Sequence, residues 1–162
     1  IDEANAVADA LARYQSARRA LLNAPIQPPL DGTATITSTF GNRTDPFLKR
    51  AAFHSGIDFR AATGTPVLAA AGGTVSFAAN NGGYGKMVEI DHGNGLTTRY
   101  AHMSQIGVIV GQTIAGGQQL GLAGSTGRST GPHVHFEVRK AGSAIDPSRF
   151  IAAGRTLAAY LQ

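Results

Sequence analysis

"HVHFEVRK" (133–140) alternates in side-chain type along its length. As a strand it sends residues i and i+2 to the same face. His133 and His135 then project together, while Val134 and Phe136 turn to the opposite side and the core. This stretch alone leaves open whether the histidines form a structural pair or a chemical site. Its surroundings repeat the period of two. In "KMVEIDH" (86–92), Val88 and Ile90 face one way, and Met87 and Glu89 the other. "LTTRYAHM" (96–103) follows, and "DHGNG" (91–95) between them is a hairpin signal. "GTVSFAA" (73–79) sets Val75, Phe77 and Ala79 on one face. Short strands separated by glycine turns predict a mainly β fold, an antiparallel sheet or sandwich. The glycine- and serine-rich "GLAGSTGRSTGP" (121–132) is a loop leading into the HVH strand.

The ends differ from this middle. Residues 1–22 lack glycine, and Ala4, Val7, Leu11, Tyr14, Arg18 and Leu21 recur at spacings of three and four. That is an amphipathic helix with a heptad stripe, either the end of a coiled coil or a helix packed on the domain. "NAPIQPPLDG" (23–32) ends it with three prolines and reads as an extended linker. "DPSRFIAAGRTLAAYLQ" (146–162) offers Asp146 as N-cap and Pro147 at the first helical position. A short C-terminal helix, broken near Gly154, is expected there. The expected layout is a helical arm and linker over 1–32, a β domain over 33–150 and a helical tail over 151–162.

Composition narrows the function. The 162 residues include 43% hydrophobic and 15% charged side chains, as in a globular domain. With no cysteine, zinc fingers of the cysteine type, thiol nucleophiles and disulfide frameworks are excluded. The net charge is +4, but basic residues are scattered and not interleaved with aromatics, which argues against nucleic acid and is compatible with an anionic polymer such as a cell wall. No apolar run reaches membrane-spanning length. The chain starts at Ile1 rather than Met, which reads as a piece of a longer protein. Segments 64–78 and 111–124 resemble the halves of a lipoyl/biotinyl-type module, but no hairpin-tip lysine motif accompanies them, so a carrier domain is not expected.

Candidate chemistry lies with the histidines. "FHSGIDF" (53–59) places His54 and Asp58 four apart with Gly56 between them, which disfavours a continuous helix and lets both side chains converge from a bend. Two imidazoles and a carboxylate suffice as the protein shell of a catalytic zinc. Capping or solvation would also explain such a pair. In "RYAHMS" (99–104) a strand would give Tyr100 and His102 a common face, with Tyr100 alternatively a core aromatic. His92 sits at the hairpin turn, where a hydrogen bond to backbone accounts for it.

Taken in order, "FHSGIDF", "TRYAHMS" and "GPHVHFEV" resemble the lysostaphin-like (LytM-type) zinc metallopeptidases, which cut peptide cross-links of bacterial peptidoglycan. "STFGNRTDPF" (38–47), "GTPVLAAAGGTV" (64–75), "GYGKMVEIDHGNGLTTRYAHMS" (83–104) and "GSTGRSTGPHVHFEV" (124–138) extend the resemblance to about residues 33–150. The resemblance implies a β metallopeptidase core holding one Zn²⁺ through His54, Asp58 and His135. It implies catalytic roles for His102 and His133 around a zinc-bound water. One of the two takes the water's proton and the other helps hold the developing charge. Met103 and Val134 replace common leucines, and no tyrosine stands just before His54. The implied substrate is peptidoglycan peptide, in the periplasm or envelope of a bacterium, with D-alanyl–diaminopimelate bonds favoured. From its abrupt change in composition and its proline linker, the helical arm is expected to regulate access to the groove or to dock a protein partner. Some members have lost zinc ligands and activate separate amidases as binding modules. Here the ligands and both catalytic histidines are intact, which favours the enzyme.

Overall fold

The computed structural model describes residues 2–32 and 34–160, with the side chain of Tyr160 excepted. Ile1, Thr33, Leu161 and Gln162 lie outside the described residues, and with them the expected start of the helical arm, the domain boundary at 33 and the end of the tail. Helix α1 (Asp2–Asn23) is followed by β1 (Ile36–Ser38), β2 (Gly41–Thr44), β3 (Ala51–His54), β4 (Ile57–Arg60), β5 (Pro66–Leu68) and β6 (Gly73–Asn80). Then come β7 (Lys86–Asp91), β8 (Leu96–Met103), β9 (Gln105–Ile106), β10 (Thr113–Ile114), β11 (Gln119–Leu122), β12 (His133–Lys140), β13 (Ser143–Ile145) and α2 (Ser148–Tyr160).

An eight-stranded sheet runs β1-β4-β12-β8-β7-β6-β10, with β13 added to β12. Its pairs are antiparallel. A smaller sheet, β5-β11-β9, and the β2-β3 hairpin accompany it. The mainly β antiparallel reading therefore holds. The core is one cluster. Phe59, Val88, Ile90, Tyr100, Val134 and Phe136 come from the large sheet, and Val67 and Leu120 from the small one. Val134 and Phe136 are fully buried, as alternation from the HVH stretch requires. Segments 64–78 and 111–124, which resemble the halves of a β module, pair with each other, β5 with β11 and β6 with β10.

Simple alternation fails in β6. Val75 pairs with Ile90, but the register slips and Phe77 pairs with Glu89. A β-bulge therefore turns Phe77 to the opposite face from Val75, and the expected common face of Val75, Phe77 and Ala79 does not form.

Helix α1 buries no residue, and Val7, Leu11, Tyr14 and Leu21 of its stripe stay exposed. The stretch after it is more than a tether. Leu30 is in the core, the Gln27 N–H donates to the Ala70 carbonyl (3.1 Å), and the Leu68 N–H donates to the Pro29 carbonyl (2.8 Å). Residues 24–30 thus form a strap along β5. The cap of α2 forms as expected, with the Ser148 N–H donating to Asp146 Oδ1 at 2.9 Å. Gly154 does not break α2, which runs through it. A Cβ at Gly154 would overlap the Ile26 carbonyl oxygen, so this glycine admits the strap against the helix. No described helix is long and apolar enough to cross a membrane.

Candidate active site

The order β4-β12-β8 assembles the site. His135 pairs directly with Asp58 on one side and Ala101 on the other. Cross-strand partners have neighbouring Cβ atoms on one face, so Asp58 and His135 must touch. His54 ends β3 and returns beside Asp58 through Ser55 and Gly56. A Cβ at Gly56 would overlap the Phe136 carbonyl oxygen, so glycine is required for that approach. His54, Asp58 and His135 are all buried, and each offers a ligand atom within 4.8 Å of the others.

His102 reaches the site by an unexpected route. Tyr100 pairs with Phe136 and is fully buried on the core side. Alternation would send His102 to that side as well. Instead β8 slips against β7, Lys86 pairing with Met103 but Val88 with Tyr100, and His102 adopts φ 58°. This bulge re-aims the side chain to the cleft, with its ring 4.7 Å from His133 and 5.9 Å from His135 between centroids. The expectation that Tyr100 and His102 share a face is corrected. His92 stands elsewhere, with Nδ1 donating to the Gly72 carbonyl at 2.6 Å.

Each imidazole is locked by a group that can only accept. His54 Nδ1 donates to the Thr39 carbonyl (2.8 Å), His102 Nδ1 to the Thr126 carbonyl (2.8 Å) and His133 Nδ1 to the Gly131 carbonyl (2.8 Å). His135 Nε2 donates to Glu137 Oε1 at 3.0 Å. The opposite nitrogens are lone-pair nitrogens. Of these, His54 Nε2 and His135 Nδ1 lie 3.1 Å apart, and Asp58 Oδ1 is 3.1 and 2.8 Å from them. His133 Nε2 is 3.8 Å from the same oxygen.

Two lone pairs and a carboxylate at such distances repel unless a cation lies between them. A ring proton supplies that positive charge as well as a metal does, and the titration directions reflect it. Burial pushes Asp58 up, but hydrogen bonds donated by the His135 and His54 rings in their protonated form outweigh it and hold the carboxyl well below the usual range. Burial pushes His135 down, but Asp58 and Glu137 outweigh it and raise it. The donor set, two imidazoles and a carboxylate beside an open cleft, fits zinc with a position left for water and substrate. Burial takes His102 down to about 4, which leaves a neutral ring able to accept a proton.

Glu137 escaped the sequence reading. Its side chain is fully buried, and it accepts from Ser55 Oγ, Tyr84 Oη (2.9 Å), His135 Nε2 (3.0 Å) and Arg139 Nη1 (2.6 Å). Burial raises its carboxyl, but these partners bring it down to about 2. An ionised carboxylate behind a metal-binding imidazole fixes its tautomer and raises its basicity. The period of two that joins His133 to His135 extends to Glu137 and was the available signal. The cleft over the cluster encloses about 310 Å³, and its walls include Phe47, Tyr84, Ser129, Arg43 and Arg128.

Comparison with known proteins gives a family match. The model of Peptidase family M23 matches residues 52–147. The DD-carboxypeptidase/endopeptidase Mpg of Neisseria meningitidis serogroup B is 47% identical over 112 residues, 69% of this chain and 26% of that protein. The peptidoglycan DD-endopeptidase ShyA of Vibrio cholerae serotype O1 is 43% identical over 119 residues, 73% of this chain and 28% of that protein. A crystal structure of a zinc-containing peptidase from Vibrio cholerae superposes with a TM-score of 0.69 at 38% identity, over 73% of this chain and 37% of that one. The chain spans about a quarter of the length of these two curated relatives. With the family match, the identities and the cluster on β3, β4 and β12 in agreement, the chain belongs to peptidase family M23, the LytM-type zinc metallopeptidases.

Proposed function

We propose that this chain is the catalytic part of a zinc-dependent endopeptidase that hydrolyses stem peptides or cross-links of bacterial peptidoglycan. One observation carries the reading: tautomer-locked imidazoles turn free nitrogens towards one ionised carboxylate at the floor of a cleft. In this reading His54 Nε2, Asp58 and His135 Nδ1 hold the metal. Zinc, when bound, acidifies water and polarises the scissile carbonyl. The chain's own residues do the rest. His102 and His133, their Nδ1 protons tied to carbonyls, present Nε2 to the reacting groups. One takes a proton from the attacking water and later gives it to the leaving amine, while the other stabilises charge on the carbonyl oxygen. Glu137 holds His135 in its ligating tautomer.

The name of the Vibrio relative, a peptidoglycan DD-endopeptidase, supports peptidoglycan as substrate, and with it an envelope location, the periplasm in a Gram-negative cell. A binding-only module would not need the full cluster. The exposed stripe of α1 supports a role as the end of a coiled coil that docks a partner protein, ahead of a catalytic body. Digestion of purified peptidoglycan, with mass analysis of the fragments, tests the activity. The zinc-loaded protein is expected to release cross-link fragments and the chelated protein none. Equal release by both, or release by neither, would refute the reading.

A further inference from the structure

Two guanidiniums line the cleft, and they differ in what they already hold. Arg128 Nη2 grips both oxygens of Asp45 (3.0 and 2.8 Å), and its guanidinium lies 4.8 Å from the centre of the Phe47 ring. This clamp joins the β2–β3 turn to the loop before β12 and is part of the wall. Arg43, on β2, is different. Its Nη1 donates to Ser38 Oγ at 2.6 Å. It forms a loose ion pair with Asp58 Oδ2 at 3.7 Å, beyond hydrogen-bond length. Asp58 turns its other oxygen to His54 and His135. Among the described residues, Arg43 is therefore the cleft cation whose anion partner is held at ion-pair distance and not by a hydrogen bond, and it stands directly beside the His54, Asp58 and His135 cluster.

We propose that Arg43 determines specificity by binding a free carboxylate on the carbon that bears the scissile nitrogen. This rests on the peptidase reading above and names its substrate class. Standard bond lengths put such a carboxylate roughly 3 Å from the nitrogen. When the scissile carbonyl is at the cluster, that carboxylate comes within reach of the group next to Asp58. On the acyl side of a D-alanyl bond the neighbours are a methyl and an amide, so the leaving side supplies the anion. Two substrates share this chemistry: a chain-terminal amino acid and a diaminopimelate cross-link joined through the amine beside its carboxylate. A glycine bridge has a neutral amide carbonyl at that position and gives the guanidinium nothing to pair with. One carboxylate contact thus serves both carboxypeptidase and endopeptidase cleavage. In both, the C–N bond breaks, the acyl carbon gains the water oxygen and the amine leaves with a proton.

The test uses cross-linked muropeptide dimers whose diaminopimelate carboxylate is free or amidated, with the zinc-loaded chain as wild type, Arg43→Ala and Arg43→Lys. Wild type is expected to prefer the free carboxylate by roughly 10- to 100-fold in kcat/KM, the worth of a charged hydrogen bond. Arg43→Ala should bind zinc as wild type does and cut both dimers at the amidated rate. Arg43→Lys should keep part of the preference, because it retains the charge and loses the fork. Equal rates on both dimers for wild type, or an undiminished preference in Arg43→Ala, would overturn the proposal. Loss of zinc by Arg43→Ala would also overturn it, since the residue would then act by positioning Asp58. Cleavage of neither dimer by zinc-loaded wild type would instead sink the peptidase reading itself, and this proposal with it.

Discussion

Single residues decide the chemistry, and they were unevenly legible. His54 with Asp58 and His133 with His135 could be paired on paper, because the bend at Gly56 and the alternation of β12 bring each pair together, and the family resemblance joined the two pairs. The face of His102 could not, because it depends on a slip between β8 and β7 that no local pattern announces. Glu137 was hidden because an acid two residues before an arginine on a strand looks like a surface pair. Its replacement tests the importance of that buried carboxylate. Glu137→Gln removes the charge behind His135 while keeping shape, and zinc affinity should fall roughly 10- to 100-fold in a chelator competition. His92 has the opposite character. Its Nδ1 donates to Gly72, leaving Nε2 to accept from Thr98 Oγ1 at 2.8 Å, and Thr98 in turn lies 2.9 Å from Tyr100 Oη. Burial lowers its pKa, against smaller upward pulls from the Gly72 carbonyl and Asp91. The folded state therefore binds fewer protons at this ring than the unfolded state, whose value is about 6.5. Its stabilisation is present above that pH and is lost as pH falls below it. The Tm difference between wild type and His92→Gln should shrink from pH 7.5 to pH 5. A constant difference would remove the assignment.

At the level of elements, β7, β8 and β12 were plain in the sequence because two-residue periodicity and the DHGNG turn fix their limits. The strap was not. Three prolines between a helix and a sheet read as a linker, and only burial of Leu30 and the backbone bonds to Ala70 and Leu68 reveal it as part of the body. Gly154 misled for a related reason. Within a helix it looks like a breaker, yet its role is to leave room for the Ile26 carbonyl. Gly154→Ala should therefore lower stability by about 1–3 kcal/mol, the usual cost of overpacking, although alanine is the better helix former. Chemical denaturation measures this. A stability gain of the size expected from helix propensity would show that the strap does not sit tightly on α2.

For the molecule as a whole, the arm and the body should separate cleanly at Ala24 and not at residue 33. Removing residues 1–23 takes away a helix with no buried residue and should leave the thermal midpoint of the body nearly unchanged. Removing 1–32 also strips Leu30 from the core and two backbone bonds from the edge of β5, and should lower it by several degrees. Equal midpoints would mean the strap contributes nothing. The fold brings β4, β8 and β12 of the large sheet and β3 of the hairpin to one cleft, and the proposed function puts metal binding and the reaction on separate residues there. One paired measurement tests that division of labour: zinc stoichiometry and cross-link hydrolysis on the same preparations of wild type, His54→Ala and His133→Ala. The expected result is about one zinc per chain in wild type and His133→Ala, loss of zinc in His54→Ala, and cleavage by wild type alone. Zinc retained by His54→Ala as in wild type, or normal cleavage by His133→Ala, would contradict it.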